Sequence, residues 1–188
     1  MAARGRSRSW TRALLPVLLL WPVAASAGGP PDVAVKATYL YKFAPFVTWP
    51  GADAPPATPP APFNVCVVGD DPFGPLLDRA VAGQALGTRA IQVMHIDSIG
   101  PKSNCDIAYL GGSRTESVAD ALRAVRGTPT LTVTDEDDPS GIIAFAMVDG
   151  HVRFRVDQVQ AQQNGLVISS KLLSLALSVR SAPSQAQP

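Results

Sequence analysis

The stretch Phe63-Asn64-Val65-Cys66-Val67-Val68-Gly69-Asp70-Asp71-Pro72-Phe73-Gly74-Pro75-Leu76-Leu77-Asp78-Arg79-Ala80-Val81 changes its kind of order part-way along. Residues 63–68 are apolar and valine-rich, as a β-strand requires. Gly69-Asp70-Asp71-Pro72 then reads as a turn, with Pro72 expected at the first position of a helix, where its missing N–H costs nothing. Phe73, Leu76, Leu77 and Val81 would form the apolar face of that helix. Strand, tight turn and helix in immediate succession are the opening of an α/β fold.

The same alternation continues downstream. Residues 90–96 and 105–110 are further strand candidates, with Asp106 the exception in the second. Ser113-Arg114-Thr115-Glu116 has the form of a capping box, so a helix is expected from there to about Arg126, with Gly127 as its stop. Residues 130–134 form a fourth strand. Residues 142–148 and 151–156 flank Asp149-Gly150, the two-residue signal for a type I′ hairpin. After Asn164-Gly165 a last helix is expected over about 169–179, N-capped by Ser169 and so apolar that it should be buried or shared. Upstream, Val33, Ala37, Leu40, Ala44 and Val47 recur at helical spacing over 32–48, and Pro45 should end or kink that helix near Ala44. A proline-rich loop follows over 51–62. The expected architecture is a mixed, mostly parallel sheet covered by helices on both faces, with an antiparallel hairpin near the C-terminal end. It forms one domain over 32–180, followed by a flexible tail at 181–188.

The N-terminus reads as an address. Arg4, Arg6, Arg8 and Arg12 precede the apolar run 13–21, and Ala25-Ser26-Ala27 supplies a small-x-small cleavage pattern, so residues 1–27 are expected to be a secretory signal peptide. No later apolar run is long enough for a membrane helix. With 16 Lys+Arg against 15 Asp+Glu in 188 residues there is no basic footprint for nucleic acid. An exported chain meets an oxidising compartment, and its only two cysteines, Cys66 and Cys105, allow one intramolecular bridge. It would close a loop of about 40 residues. The spacing fits neither a Cys-x-x-Cys redox pair nor a four-ligand zinc site. A structural disulfide is the expectation, and two buried thiols are the open alternative.

Catalytic patterns are missing from the sequence. The turn at 69–74 lacks the lysine of a phosphate loop and the glycine spacing of a dinucleotide fold. Asp135-Glu136-Asp137-Asp138 lacks the alternation and closing Glu of a calcium loop, and reads as a solvated loop. His95 and His151 fall at strand edges without a neighbouring Cys or His. No nucleophile elbow occurs. The chain is therefore expected not to be an enzyme, and no cofactor or metal is implied.

Residues 35–43 (Val-Lys-Ala-Thr-Tyr-Leu-Tyr-Lys-Phe), 46–50 (Phe-Val-Thr-Trp-Pro), 66–73, Cys105-Asp106-Ile107, 130–135 and 165–176 together resemble the YfiR family of periplasmic regulators. The likeness runs over about 33–179 in the family's order. It implies a small exported α/β protein, a homodimer, that restrains an inner-membrane diguanylate cyclase by binding its periplasmic part. An outer-membrane OmpA-like protein can sequester such regulators. The implied role is non-catalytic control of cyclic-di-GMP signalling and biofilm formation, and the Cys66–Cys105 pair would match a family disulfide. A periplasmic small-molecule binding module is the second reading.

The first helix carries more aromatic surface than one side needs for a core: Tyr39, Tyr41, Phe43 and Phe46, with Trp49 just beyond. Aromatics bury large area at little rotamer cost, so Tyr41, Phe46 and Trp49 are candidate partner or dimer contacts, with the 172–179 helix beside them; the open alternative is that all of these aromatics are core.

Overall fold

The computed structural model describes residues 31–51, 58–135 and 140–182. The expected leader at 1–27, most of the acidic loop (136–138) and residues 183–188 of the expected tail lie outside them. Strand β2 (Phe63–Gly69) is the centre of the architecture. Phe63, Val65 and Val67 point to one face, towards helix α1 (Pro31–Lys42) and helix α2 (Pro75–Val81). Cys66 and Val68 point to the other, where they meet Val118, Ala121 and Val125 of helix α3 (Val118–Ala124) and the turn after it. An apolar run without alternation is what burial on both faces of a parallel sheet demands.

After α1 come the short strand β1 (Val47–Thr48), then β2 and α2, and two strands β3 (Ala85–Leu86) and β4 (Arg89–Ile96). Next are β5 (Ile107–Gly112), α3, β6 (Leu131–Thr134), β7 (Ile143–Val148) and β8 (His151–Asp157). The chain ends with α4 (Gln158–Gln163), β9 (Val167–Ile168), α5 (Ser170–Leu175) and β10 (Ser178–Arg180). Eight strands form one sheet in the order β10-β8-β7-β6-β5-β2-β4-β3, and β1 and β9 pair separately. β4, β2, β5, β6 and β7 run parallel; β8 returns antiparallel to β7. The turn between β7 and β8 has positive φ at both Asp149 (50°) and Gly150 (72°), as a type I′ turn requires. The mixed, mostly parallel sheet and its antiparallel hairpin are as the sequence indicates.

Four element boundaries differ from expectation, each for a local reason. The first helix stops at Lys42, and Pro45 sits in a single 3-10 turn (Ala44–Phe46) that feeds β1. The second helix starts at Pro75, because Asp71 accepts the Phe73 amide at 2.7 Å and Gly74 takes φ +47°, holding Pro72 in the turn. The third is capped by Ser117, not Ser113. Ser113 Oγ accepts the Thr115 and Glu116 amides, while the Glu116 carboxylate takes the Ile99 amide at 3.0 Å instead of reaching back. Ser117 then accepts from the Asp120 amide.

The last correction is the largest. Ser169 does cap α5, but the helix ends at Leu175 because Ala176 is extended, and residues 178–180 join the sheet as β10, parallel to β8. The overlooked signal is the two-residue alternation Leu175-Ala176-Leu177-Ser178-Val179-Arg180.

Strand β10 is tethered by charge. Asp157 caps α4 through the Gln160 amide and pairs with Arg180. Burial opposes ionisation of Asp157, yet the hydrogen bonds from Arg180 and from Gln160 prevail, and the carboxyl titrates below its ordinary 3.8. A depressed folded pKa adds stability above the unfolded value, and that stability disappears as pH falls through the folded value. Asp157→Asn is therefore expected to lower the urea midpoint at neutral pH. The gap to the wild type should close well below pH 3.8, and an equal gap at both pH values would show that the charge is immaterial.

The structure bonds Cys66 to Cys105, with Cα atoms 5.8 Å apart. The bridge runs from mid-β2 to the residue before the Asp106 corner, inside the core under α3. Asp106 accepts the Asn64 amide (2.7 Å) and pairs with Arg89 (2.8 Å), which explains a carboxylate in an otherwise apolar run.

Candidate partner-binding surface

In an open α/β sheet the usual ligand position is the crevice beyond the C-terminal strand ends, where successive helices change face. Here that point lies between β2, which leads to α2, and β5, which leads to α3. The crevice is closed by its own backbone. Asp70 N–H donates to Gly112 O at 2.7 Å, and a Cβ at Gly69 or Gly111 would come within 3.0 Å of Gly112 O or Asp70 O. Beside it Asp135 joins Lys36 of α1 (2.8 Å) to the Tyr109 hydroxyl (3.0 Å), a brace between helix and strand ends. His95 lies 3.4 Å from Asp71 and 3.8 Å from Asp78 on an exposed ring, and His151 contacts the Asp149 carbonyl in the hairpin turn. No group of three or more His, Cys, Asp or Glu among the described residues could hold a metal ion.

The aromatic positions lead elsewhere. α1 buries Ala37 and Leu40, and Phe43 just beyond it packs 5.2 Å from the Phe154 ring and 6.1 Å from Phe145. Each such pair adds about 0.5–1.5 kcal/mol beyond area burial. The 3-10 turn then swings Phe46 outward, and the pairing of β1 with β9 brings it to the start of α5, where Ser169 N–H donates to Phe46 O at 2.9 Å. Lys171 sits 5.7 Å above the Phe46 ring.

Phe46 lines two clefts. One, of about 270 Å³, is floored by Phe43 and Phe154 and walled by Leu172 and Leu175. The other, of about 320 Å³, includes Tyr41, Leu86 and Ile91. Tyr41 and Phe46 are both half-buried, so they are neither core nor free surface. Trp49 is placed apart from them: its ring meets Phe63 edge-on at 5.2 Å, and its indole nitrogen is buried with no hydrogen-bond partner among the described residues. The 172–179 segment is buried at Leu172 but exposes its later apolar residues: Leu175 is 60% exposed and Leu177 46%. Leu177 N–H bonds to Phe154 O one position before the Ser178–Arg155 pair, so the register sets Leu177 beside Phe154, on the same face, just ahead of β10. Val167 on β9, 64% exposed, is a further apolar residue that helical periodicity did not single out.

The surface is thus an apolar strip, Phe46–Leu175–Leu177, with Lys42 and Lys171 on its border. Such a strip suits another protein better than a small substrate. The profile of the YfiR/HmsC-like family matches residues 33–177, from the first turn of α1 to the approach of β10. The chain belongs to the YfiR/HmsC-like family. Among curated proteins none matches. YfiR-like proteins are, as a family, regulatory and not catalytic, and at family level the membership makes this chain a periplasmic regulator of a diguanylate cyclase. No helix among the described residues is long and apolar enough to cross a membrane.

Proposed function

We propose that this chain is exported by its N-terminal leader and, as a homodimer, restrains one inner-membrane diguanylate cyclase by binding the cyclase's periplasmic part. An OmpA-like outer-membrane protein would relieve the restraint by taking the regulator away, and the output would be cyclic-di-GMP level and biofilm formation. The observation that carries this reading is the apolar strip around Phe46, where a half-buried aromatic is flanked by exposed Leu175 and Leu177. Half-buried aromatics with exposed aliphatic neighbours are the usual anchors of protein interfaces.

Deletion of the gene is expected to raise cyclic-di-GMP and surface attachment. Complementation with Phe46→Ala or Leu175→Asp should fail to lower them again, and purified Leu175→Asp should lose the dimer or the cyclase complex while melting close to wild type. An unchanged second-messenger level on deletion would defeat the proposal. A several-kcal/mol loss of stability in Tyr41→Ala or Phe46→Ala would make those two residues core.

A further inference from the structure

On the opposite face of the sheet α3 covers β2 and β5, and beyond it the surface opens into a cavity of about 450 Å³. Thr132 lies on its floor, α3 and α4 form two walls, and Arg180 of β10 closes a third side. It shares Ser140, Gln160 and Arg180 with an adjoining cavity of about 360 Å³ that extends over Ala144. The charged side chains lining the larger cavity, among the described residues, are Arg123, Arg126 and Arg180. No acid is among them.

Arg123 and Arg126 belong to the last turn of α3 and the residue positions after it, where the helix dipole favours cations. That accounts for two of the arginines and leaves Arg180, which arrives from a different element more than fifty residues later. Arg123 is partly neutralised by Asp120, and Arg180 by Asp157. Among the described residues Arg126 has no side-chain hydrogen bond or ion pair, and it is exposed just beyond the end of α3. Guanidinium groups present planar forks matched to phosphate and carboxylate oxygens; Asp120 and Asp157, the latter lining the adjoining cavity, each offset one arginine, so the excess positive charge offered to an incoming anion is that of Arg126. The exposed Gln163 amide adds a neutral donor and acceptor on the α4 wall. The volume is that of an ordinary small-molecule site.

We infer that this groove binds a small, multiply charged anion bearing phosphate or carboxylate groups, held by Arg123, Arg126 and Arg180. The site is on the face away from the Phe46 strip, so the inference stands apart from partner binding and is tested without a cyclase. The protein, expressed from its full-length gene and purified, is titrated calorimetrically with pyrophosphate and separately with citrate, at low and at raised salt. Millimolar or tighter binding of either anion is expected, and the stronger of the two names the chemistry. Arg126→Gln, which breaks no internal pair, should weaken binding by about tenfold, the loss of one charge-assisted hydrogen bond. Arg79→Gln, on α2 across the sheet, should leave it unchanged.

Equal losses in both variants would mean nonspecific charge attraction and overturn the site. Ser140 on the rim directly follows the sequence Glu136-Asp137-Asp138-Pro139, so the titration is repeated with those three acids changed to Gln, Asn and Asn. No heat with either anion in both proteins would likewise overturn the inference.

Discussion

Replacing both cysteines, Cys66→Ala with Cys105→Ala, is expected to lower the unfolding free energy by about 4 kcal/mol, the loop-closure term for a ring of this size. The bridged residues are 39 apart in sequence, and both cysteines are buried under α3 with Val68, Ala108 and Leu110. Losing the link frees the unfolded chain between β2 and β5, the two strands that lie side by side at the centre of the sheet. For a chain of this length each kcal/mol moves the melting temperature by roughly 2–4 °C, so a drop on the order of 10 °C should be seen. Reductant added to the wild type should reproduce most of the loss, and thiol titration of the unfolded, unreduced protein should find no free sulfhydryl. Two titratable thiols, or a midpoint indifferent to reductant, would show that the pair is not bonded in solution.

Gly69→Ala and Gly111→Ala are expected to be as damaging, by roughly 3 kcal/mol or more, through overpacking against backbone. At both positions the added Cβ would meet a carbonyl oxygen of the neighbouring loop closer than real Cβ atoms come, and backbone cannot rotate away as a long side chain can. Gly69 also holds φ +76°, where a side chain costs a further 1–2 kcal/mol or so. Gly127→Ala, with positive φ but nothing within 4 Å, serves as the comparison and should lose only the conformational part. If Gly69→Ala and Gly127→Ala melt alike in denaturant titrations, the two loops are not in firm contact and the crevice is open to a ligand.

These two sites separate what was readable from what was not. The valine-rich run at 63–68, the turn after it and the Asp149-Gly150 hairpin are local signals, so strand, turn and α/β class could be read from neighbouring residues alone. The closure of the crevice depends on Gly69 meeting Gly112 and Gly111 meeting Asp70 across a parallel pair, and no local pattern announces those contacts. The Ser113 cap failed for the same reason. Its motif was present, but the Glu116 carboxylate satisfies the Ile99 amide, a partner from another loop.

By itself the sequence determined the α/β class, the order of most elements, the pairing available to two cysteines, and a resemblance that the family match over 33–177 makes membership. Tertiary structure decided the rest. It turned residues 178–180 into an edge strand, because β8 offered Leu177 N–H, just before them, a carbonyl that an isolated helix end could not. It set Tyr41 and Phe46 on one shared cleft but sent Trp49 against Phe63, and it gathered Arg123, Arg126 and Arg180 around one cavity. Periodicity tells which side of an element is apolar. Which elements then face each other follows from the register of non-local strand pairs, and surfaces for partners and ligands are built from those encounters.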